Sequence, residues 1–231
     1  MIVAITGTRK GIGRTLAEHF LGDGHTVFGC SRKESTLEHA NYFHHLLDVA
    51  EESAVKTFFR TIRARCGKLD VLINNAAEAS MNHVLLTPKA TLTRLYETNL
   101  AGTFVCSQEA AKLLKKSESG RIINFSSVAV PMRLEGAAAY SATKSAVVNL
   151  TEIMSKELGS YGITVNAIGP TPVLTSMTRT VPKELIDRLI DRQTIKRMGT
   201  MEDLINVVDF LVRPASSFIT GQTIYLGGIV P

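Results

Sequence analysis

Residues 2–13, Ile2-Val3-Ala4-Ile5-Thr6-Gly7-Thr8-Arg9-Lys10-Gly11-Ile12-Gly13, join a short apolar run to a turn holding three glycines. A helix-like stretch, 12–22, follows directly. Strand, glycine turn and helix in that order open a βαβ unit. The glycines permit a tight turn and a close backbone approach to a bound group. The helix start adds unpaired N–H groups and the positive end of the helix dipole, so the stretch predicts a phosphate site. A glycine turn alone is a weak signal; the strand before it and the helix after it give it weight.

Outward from that turn, short apolar or β-branched runs recur at Thr26–Cys30, Tyr42–Leu47, Val71–Ile73, Arg121–Phe125, Ile163–Ile168 and Thr223–Leu226. Helix-like stretches separate them at roughly 51–66, 100–116 and 139–158. Between the second and third strands there is room only for a stub of helix around Glu34–His39. Strands that alternate with helices, and read as apolar throughout, predict a parallel sheet covered on both faces. Right-handed crossovers then give a Rossmann-type doubly wound α/β fold of about seven strands, with residues 1–231 as a single domain. Residues 170–200, with Pro170, Pro172 and Pro182, read as an irregular flap over a site.

The bulk numbers narrow the class. The chain has 231 residues, 45% of them hydrophobic, which is enough for a full core. No run approaches the ~18 apolar residues of a membrane span, and the strand beginning at Ile2 leaves no room for a signal peptide, so the expectation is a cytoplasmic protein with no membrane partner. Cys30, Cys66 and Cys106 are widely spaced, odd in number and without a Cys-x-x-Cys pair, which predicts reduced thiols and no metal site. The net charge of +5 carries no long basic block, so no nucleic-acid partner is expected, while acidic ligands remain favoured.

A second stretch carries chemistry. Tyr140-Ser141-Ala142-Thr143-Lys144 lies near the start of the helix-like segment 139–158, shortly after Ser127 at the end of a strand. Five Tyr and 12 Lys in 231 residues make a chance Tyr-xxx-Lys about one in four, so spacing alone proves little. On a helix, however, residues i and i+4 share a face, placing phenol and ammonium side by side. A phenol titrates near 10, and one cation at about 4 Å supplies the ~4 kcal/mol needed to bring it toward 7. Such a phenol would exchange a proton with a carbonyl or alcohol oxygen near neutral pH.

Together these motifs resemble the short-chain dehydrogenase/reductase family. The loop has that family's Thr-Gly-xxx-Gly-x-Gly spacing. Asp48-Val49 resembles its adenine-bracketing pair, Asn74-Asn75-Ala76-Ala77 its Asn-Asn-Ala-Gly, and Thr98-Asn99-Leu100-Ala101-Gly102 the segment with its catalytic Asn. Ile122 to Ser127, Val165-Asn166-Ala167 and Ile219-Thr220-Gly221-Gln222 also fit, so the likeness spans the chain. It implies a catalytic set of Asn99, Ser127, Tyr140 and Lys144. Tyr140 would be the acid/base, Ser127 would hold the substrate oxygen, Lys144 would hold the nicotinamide ribose and lower the phenol pKa, and Asn99 would position a relay water. It further implies a cofactor site of Gly7, Arg9, Lys10, Gly11, Ile12, Gly13, Ser31, Arg32, Asp48, Val49, Asn75, Ala76, Tyr140, Lys144, Pro170, Val173 and Thr175. Departures stand at Ala77 in place of a Gly, expected to tighten the backbone, at Thr171, expected to reshape the pocket, and at Leu226-Gly227-Gly228.

The cofactor expected is NADP(H). The residue about 20 positions past the glycine loop decides between the dinucleotides, and Ser31, Arg32 and Lys33 occupy that place with no carboxylate before Glu34. Within the family the pattern most resembles bacterial 3-oxoacyl-(acyl-carrier-protein) reductases of fatty acid biosynthesis. Arg179 in Thr175-Ser176-Met177-Thr178-Arg179 stands where those enzymes dock the acidic carrier. A second docking Arg is replaced by Glu118, near Lys115, Lys116 and Arg121. The other enzyme reading is a reductase or dehydrogenase of a free sugar, polyol or nucleotide-sugar ketone, with substrate choice set by the flap and the loop Val128–Gly136. A remote third is a non-catalytic dinucleotide-binding module. The resemblance implies a homotetramer, or a dimer, built from the helices containing Asn99 and Tyr140 and from the last strand.

Overall fold

The computed structural model describes residues 1–174 and 183–229. Seven parallel strands form one sheet: β1 (Ile2–Thr6), β2 (Thr26–Ser31), β3 (Tyr42–Leu46), β4 (Val71–Asn74), β5 (Arg121–Phe125), β6 (Thr164–Gly169) and β7 (Thr223–Tyr225). Their order is β3-β2-β1-β4-β5-β6-β7, which places β1 between β2 and β4, and the direction in which strands are added reverses between β1 and β4. Ligands bind at the carboxyl ends of strands where such a reversal falls.

The strands read as apolar throughout because both faces are covered. Ala4, Phe28, Leu72, Ile122 and Val165 point to one face, against α2 (Glu52–Cys66), α4 (Gly102–Leu114) and α6 (Ala138–Leu158), through Val55, Phe58, Ile62, Ala110 and Met154. Their neighbours Val3, Ile5, Val27, Ile73 and Ile123 point to the other face, against α1 (Gly11–Gly22) and α8 (Met201–Val212), through Leu16, Phe20, Leu204 and Val208. Alternation with period two thus feeds two cores from the central strands. Burying each Phe or Leu contributes about 1.5–3 kcal/mol.

Punctuation follows residue chemistry. Gly67 ends α2 in the left-handed region at φ 73°, its N–H donating to Arg63 O. Thr200 and Asp203 cap α8 reciprocally, and Arg197 grips the same carboxylate with two bonds of 2.6 and 2.9 Å. The expected helix stub at Glu34–His39 is absent. Those residues carry no regular structure, because the ten residues joining β2 to β3 are consumed in crossing between adjacent parallel strands.

Four further helices stand where no helix was read: α3 (Lys89–Tyr96), α7 (Lys183–Asp191), α8 and the short α5 (Ala129–Met132). The flap expected over 170–200 is therefore partly helical. Ala77 needs no left-handed backbone, since Arg133 is the sole non-glycine with positive φ among the described residues. All three cysteines are free thiols, Cys30 and Cys106 buried and Cys66 half-buried. Among the described residues no helix is long and apolar enough to cross a membrane, and no cluster of His, Cys, Asp or Glu is placed to hold a metal ion.

Candidate active site

A cleft of 640 Å³ opens at the carboxyl ends of the central strands, within the range of small-molecule sites. Its floor is the glycine loop. Gly7 sits at φ +78°, and a Cβ there would lie 3.1 Å from the Ala76 Cα, so the left-handed turn and the close approach both require glycine. A Cβ on Gly13 would fall 2.4 Å from the Gly7 carbonyl oxygen, which explains the last glycine of the motif. Asn75 ties the loop to β4: its side-chain amide donates to Thr6 O and Gly7 O, and its N–H, like that of Ala76, donates to Thr6 Oγ1.

α1 begins at Gly11 with no side-chain cap, leaving its first-turn N–H groups facing the cleft. Arg9, Lys10, Ser31, Arg32, Lys33, Asp48 and Val49 line the same end. The loop cradle, the uncapped helix start and the flanking cations fit a dinucleotide with its phosphates.

At the other end stand Ser127, Tyr140 and Lys144. Ser127 follows β5, and its Oγ accepts from Ala129 N–H at 3.1 Å, so its lone pair is partly engaged while the hydroxyl faces the cleft. Tyr140 lies in the first turn of α6, with the Ser127 hydroxyl near enough to act on its phenol. Burial pushes the phenol up, and the nearby Ser127 hydroxyl opposes this only in part. Lys144, one turn on, is 3% exposed; burial lowers its ammonium to about 8. Its Nζ donates to Phe125 O at 2.6 Å.

This differs from the simple expectation of a cation pulling the phenol toward 7. The ammonium is directed onto the end of β5, and loss of solvent dominates both groups.

Asn99 is fully buried and does not line the cleft. It lies in a π-helical turn (Glu97–Ala101) between α3 and α4. Its Oδ1 accepts from Glu78 N–H at 2.8 Å, while Nδ2 donates to Glu78 O at 2.9 Å and to Thr143 Oγ1 at 3.1 Å. It therefore clamps the chain beyond β4 to the helix that carries Tyr140 and Lys144.

Of the sequence-read residues, the cleft brings together Gly7, Arg9, Lys10, Gly11, Ile12, Ser31, Arg32, Asp48, Val49, Asn75, Ala76, Ser127, Tyr140, Lys144, Pro170 and Val173. Gly13 stands behind the loop, and Thr175 and Arg179 lie outside the described residues. Arg121 is 1% exposed, its guanidinium donating to Gly120 O and Arg213 O, so it is withdrawn from any surface role. It also begins β5, at the far end of that strand from Ser127.

Residues not singled out from the sequence complete the lining. Met81, Leu134, Ile186 and Leu189 make an apolar wall near Val128, and Glu78 enters beside Arg32. The apolar wall had a weak signal in the loop Val128–Gly136; Glu78 had none, since its partners are remote in sequence. Thr171, buried at 5%, lines the cleft next to Pro170 and so does shape it. Cys30 also reaches the lining, with burial pushing its thiol up to about 12, which leaves it unreactive.

Comparison with known proteins bears on the fold and the family. The family profile described as enoyl-(acyl carrier protein) reductase matches residues 7–228. The 3-oxoacyl-(acyl-carrier-protein) reductase of Staphylococcus aureus is 34% identical over 234 residues, covering 97% of this chain and 95% of that protein. The Salmonella typhimurium enzyme of the same name is 30% identical over 233 residues, covering 98% and 96%. Among solved structures, a short-chain dehydrogenase/reductase from Serratia marcescens superposes with a TM-score of 0.90 at 30% identity, covering 99% of this chain and 97% of its own. The aldohexose dehydrogenase of Thermoplasma acidophilum gives 0.90 at 28% identity, covering 99% and 93%.

Proposed function

The chain belongs to the short-chain dehydrogenase/reductase family, and we propose that it is an NADP(H)-dependent reductase of a 3-oxoacyl thioester carried on acyl-carrier protein. The bound dinucleotide supplies the hydride. The chain's own residues do the rest: Ser127 donates to the substrate oxygen, Tyr140 delivers the proton to it, and Lys144 holds the ribose. Burial keeps the Tyr140 phenol protonated at neutral pH, which suits a donor in the reducing direction. Asn99 acts from behind by fixing the Glu78 backbone against α6.

The observation that carries the substrate reading is the apolar wall of Met81, Val128, Leu134, Ile186 and Leu189 next to Ser127 and Tyr140. An acyl chain buries against such side chains, whereas a sugar needs a hydrogen-bond partner for each hydroxyl it buries. The similarity to the aldohexose dehydrogenase fold keeps free sugars as the competing substrate class. NADPH oxidation measured against 3-oxoacyl thioesters and a panel of free ketoses separates them. Turnover of sugars with none of thioesters would overturn the acyl reading.

NADP(H) preference rests on Arg32, with Lys10 and Lys33 at the same end of the cleft. Each charge-assisted contact to a 2′-phosphate is worth about 1.5–3 kcal/mol. Arg32→Asp is therefore expected to lower kcat/KM for NADPH by about 10²-fold, chiefly through KM, while NADH is retained. Steady-state kinetics with both cofactors checks this; an unchanged ratio would refute it.

A homotetramer, or at least a dimer, is supported by the outer face formed by α4, α6 and the end of α3. Tyr96, Phe104 and Ile153 are 49, 45 and 47% exposed there, beside a groove lined by Leu100 and Leu150. Such a face calls for a second copy of the chain. Phe104→Asp should shift the mass measured by light scattering down to a smaller species, and an unshifted mass would move the interface elsewhere. The three free thiols accord with a reducing, cytoplasmic compartment.

A further inference from the structure

Glu78 follows β4 by four residues, and its carboxylate, 18% exposed, has both oxygens engaged. Oε1 accepts from Arg32 Nη1 at 2.6 Å, and Oε2 stands 2.8 Å from Arg94 Nε. Asp48 Oδ2 is a more distant second acid, 3.8 Å from Arg32. In the sheet β1 lies between β2 and β4, so residues just past β2 and β4 meet over the strand that carries the glycine loop. The ion pair between them spans the glycine-loop end of the cleft, which both residues line. The Glu78 backbone cannot drift, because the buried Asn99 amide holds both its N–H and its carbonyl.

Building on the NADP(H) reading, we infer that Glu78 is an internal rival of the cofactor's 2′-phosphate: it latches Arg32 in the free protein and, with Arg94, sets how sharply the site separates NADPH from NADH. A phosphate dianion draws Arg32 away, and Glu78 then keeps its charge balanced on Arg94. A 2′-hydroxyl carries no charge with which to open the latch. Arg94 lies on α3, does not line the cleft and acts only through Glu78. Removing the Glu78 charge frees Arg32, whereas removing Arg94 leaves Glu78 one partner and tightens the latch. A latch shut nine-tenths of the time weakens apparent binding by about tenfold.

Calorimetric titration of the full chain with 2′,5′-ADP, and with 5′-AMP as the ligand lacking the 2′-phosphate, tests this without turnover. Glu78→Gln is expected to tighten 2′,5′-ADP about tenfold and to leave 5′-AMP within about twofold. Arg94→Gln, a surface change, is expected to weaken 2′,5′-ADP several-fold with 5′-AMP unaffected. Effects of the same sign in the two variants, equal effects on both ligands, or no effect of Glu78→Gln would overturn the latch. Arg32→Gln separates the two readings. If it weakens 2′,5′-ADP while Glu78→Gln changes nothing, the latch fails and NADP(H) preference stands. If Arg32→Gln itself leaves 2′,5′-ADP unchanged, Arg32 is not the phosphate ligand and both fail.

Discussion

Tyr140→Phe is expected to lower kcat by about 10²–10⁴ while NADPH binding stays within about twofold of the wild type. The substitution removes one hydroxyl and keeps the ring that packs in the first turn of α6. In the reducing direction the substrate oxygen gains charge as the hydride arrives, and a proton must reach it from a group already in place. Tyr140 is that group, beside the Ser127 hydroxyl and, with burial pushing its phenol up, protonated at neutral pH. A side chain that only shaped the pocket would change KM and leave kcat. Single-turnover measurement with saturating NADPH reads the chemical step directly, and retention of more than half the rate would assign the proton to another donor. Because the shift is upward, the ligand-free phenol does not lose its proton until the pH passes its ordinary value near 10.

How far the sequence reaches can be argued from single residues. The central strands were legible because they are buried on both faces, so Val3 and Ala4 feed opposite cores and the run reads as continuously apolar. The site was legible where one short segment carries its own geometry, as in the loop Gly7–Gly13 or the turn from Tyr140 to Lys144. The helix α8 was missed although Thr200 and Asp203 spell a capping box ahead of an apolar run, a signal that was available.

Other features had none. Arg121 opens an apolar strand and reads as an exposed cation, yet two backbone carbonyls from Gly120 and Arg213 make its burial tolerable. Asn99 was singled out by resemblance, but its fully buried position, on a π-turn clamped to Glu78, is a tertiary fact. The Lys144 ammonium could not be aimed from helix spacing alone, since spacing sets its face and not the carbonyl it reaches.

That aim leads to the second large effect, in which activity and stability move in opposite directions. Lys144→Met is expected to lower kcat by about 10² or more and to weaken NADPH binding about tenfold, because one ammonium is assigned both the ribose contact and the electrostatics of the phenol. The same change should stabilise the ligand-free protein at pH 7. Burial lowers the Lys144 ammonium from 10.5 to about 8. A base whose folded pKa lies below its unfolded value destabilises the fold while protonated, here by about 3 kcal/mol. Met removes that burden and keeps most of the stem's apolar volume, but gives up the bond to Phe125 O, worth about 1–1.5 kcal/mol. The net gain is about 1–2 kcal/mol at pH 7, readable as a rise in Tm or in the denaturant midpoint. The sign fixes the pH window as well: the burden is complete below about 8, fades as pH rises from 8 toward 10.5 and is gone above it. The advantage of Lys144→Met should shrink across that window. A variant less stable than the wild type at pH 7 would mean that contacts of the ammonium outweigh its burial. A variant that binds NADPH undiminished while losing rate would remove the ribose contact from the mechanism and leave only the electrostatic half.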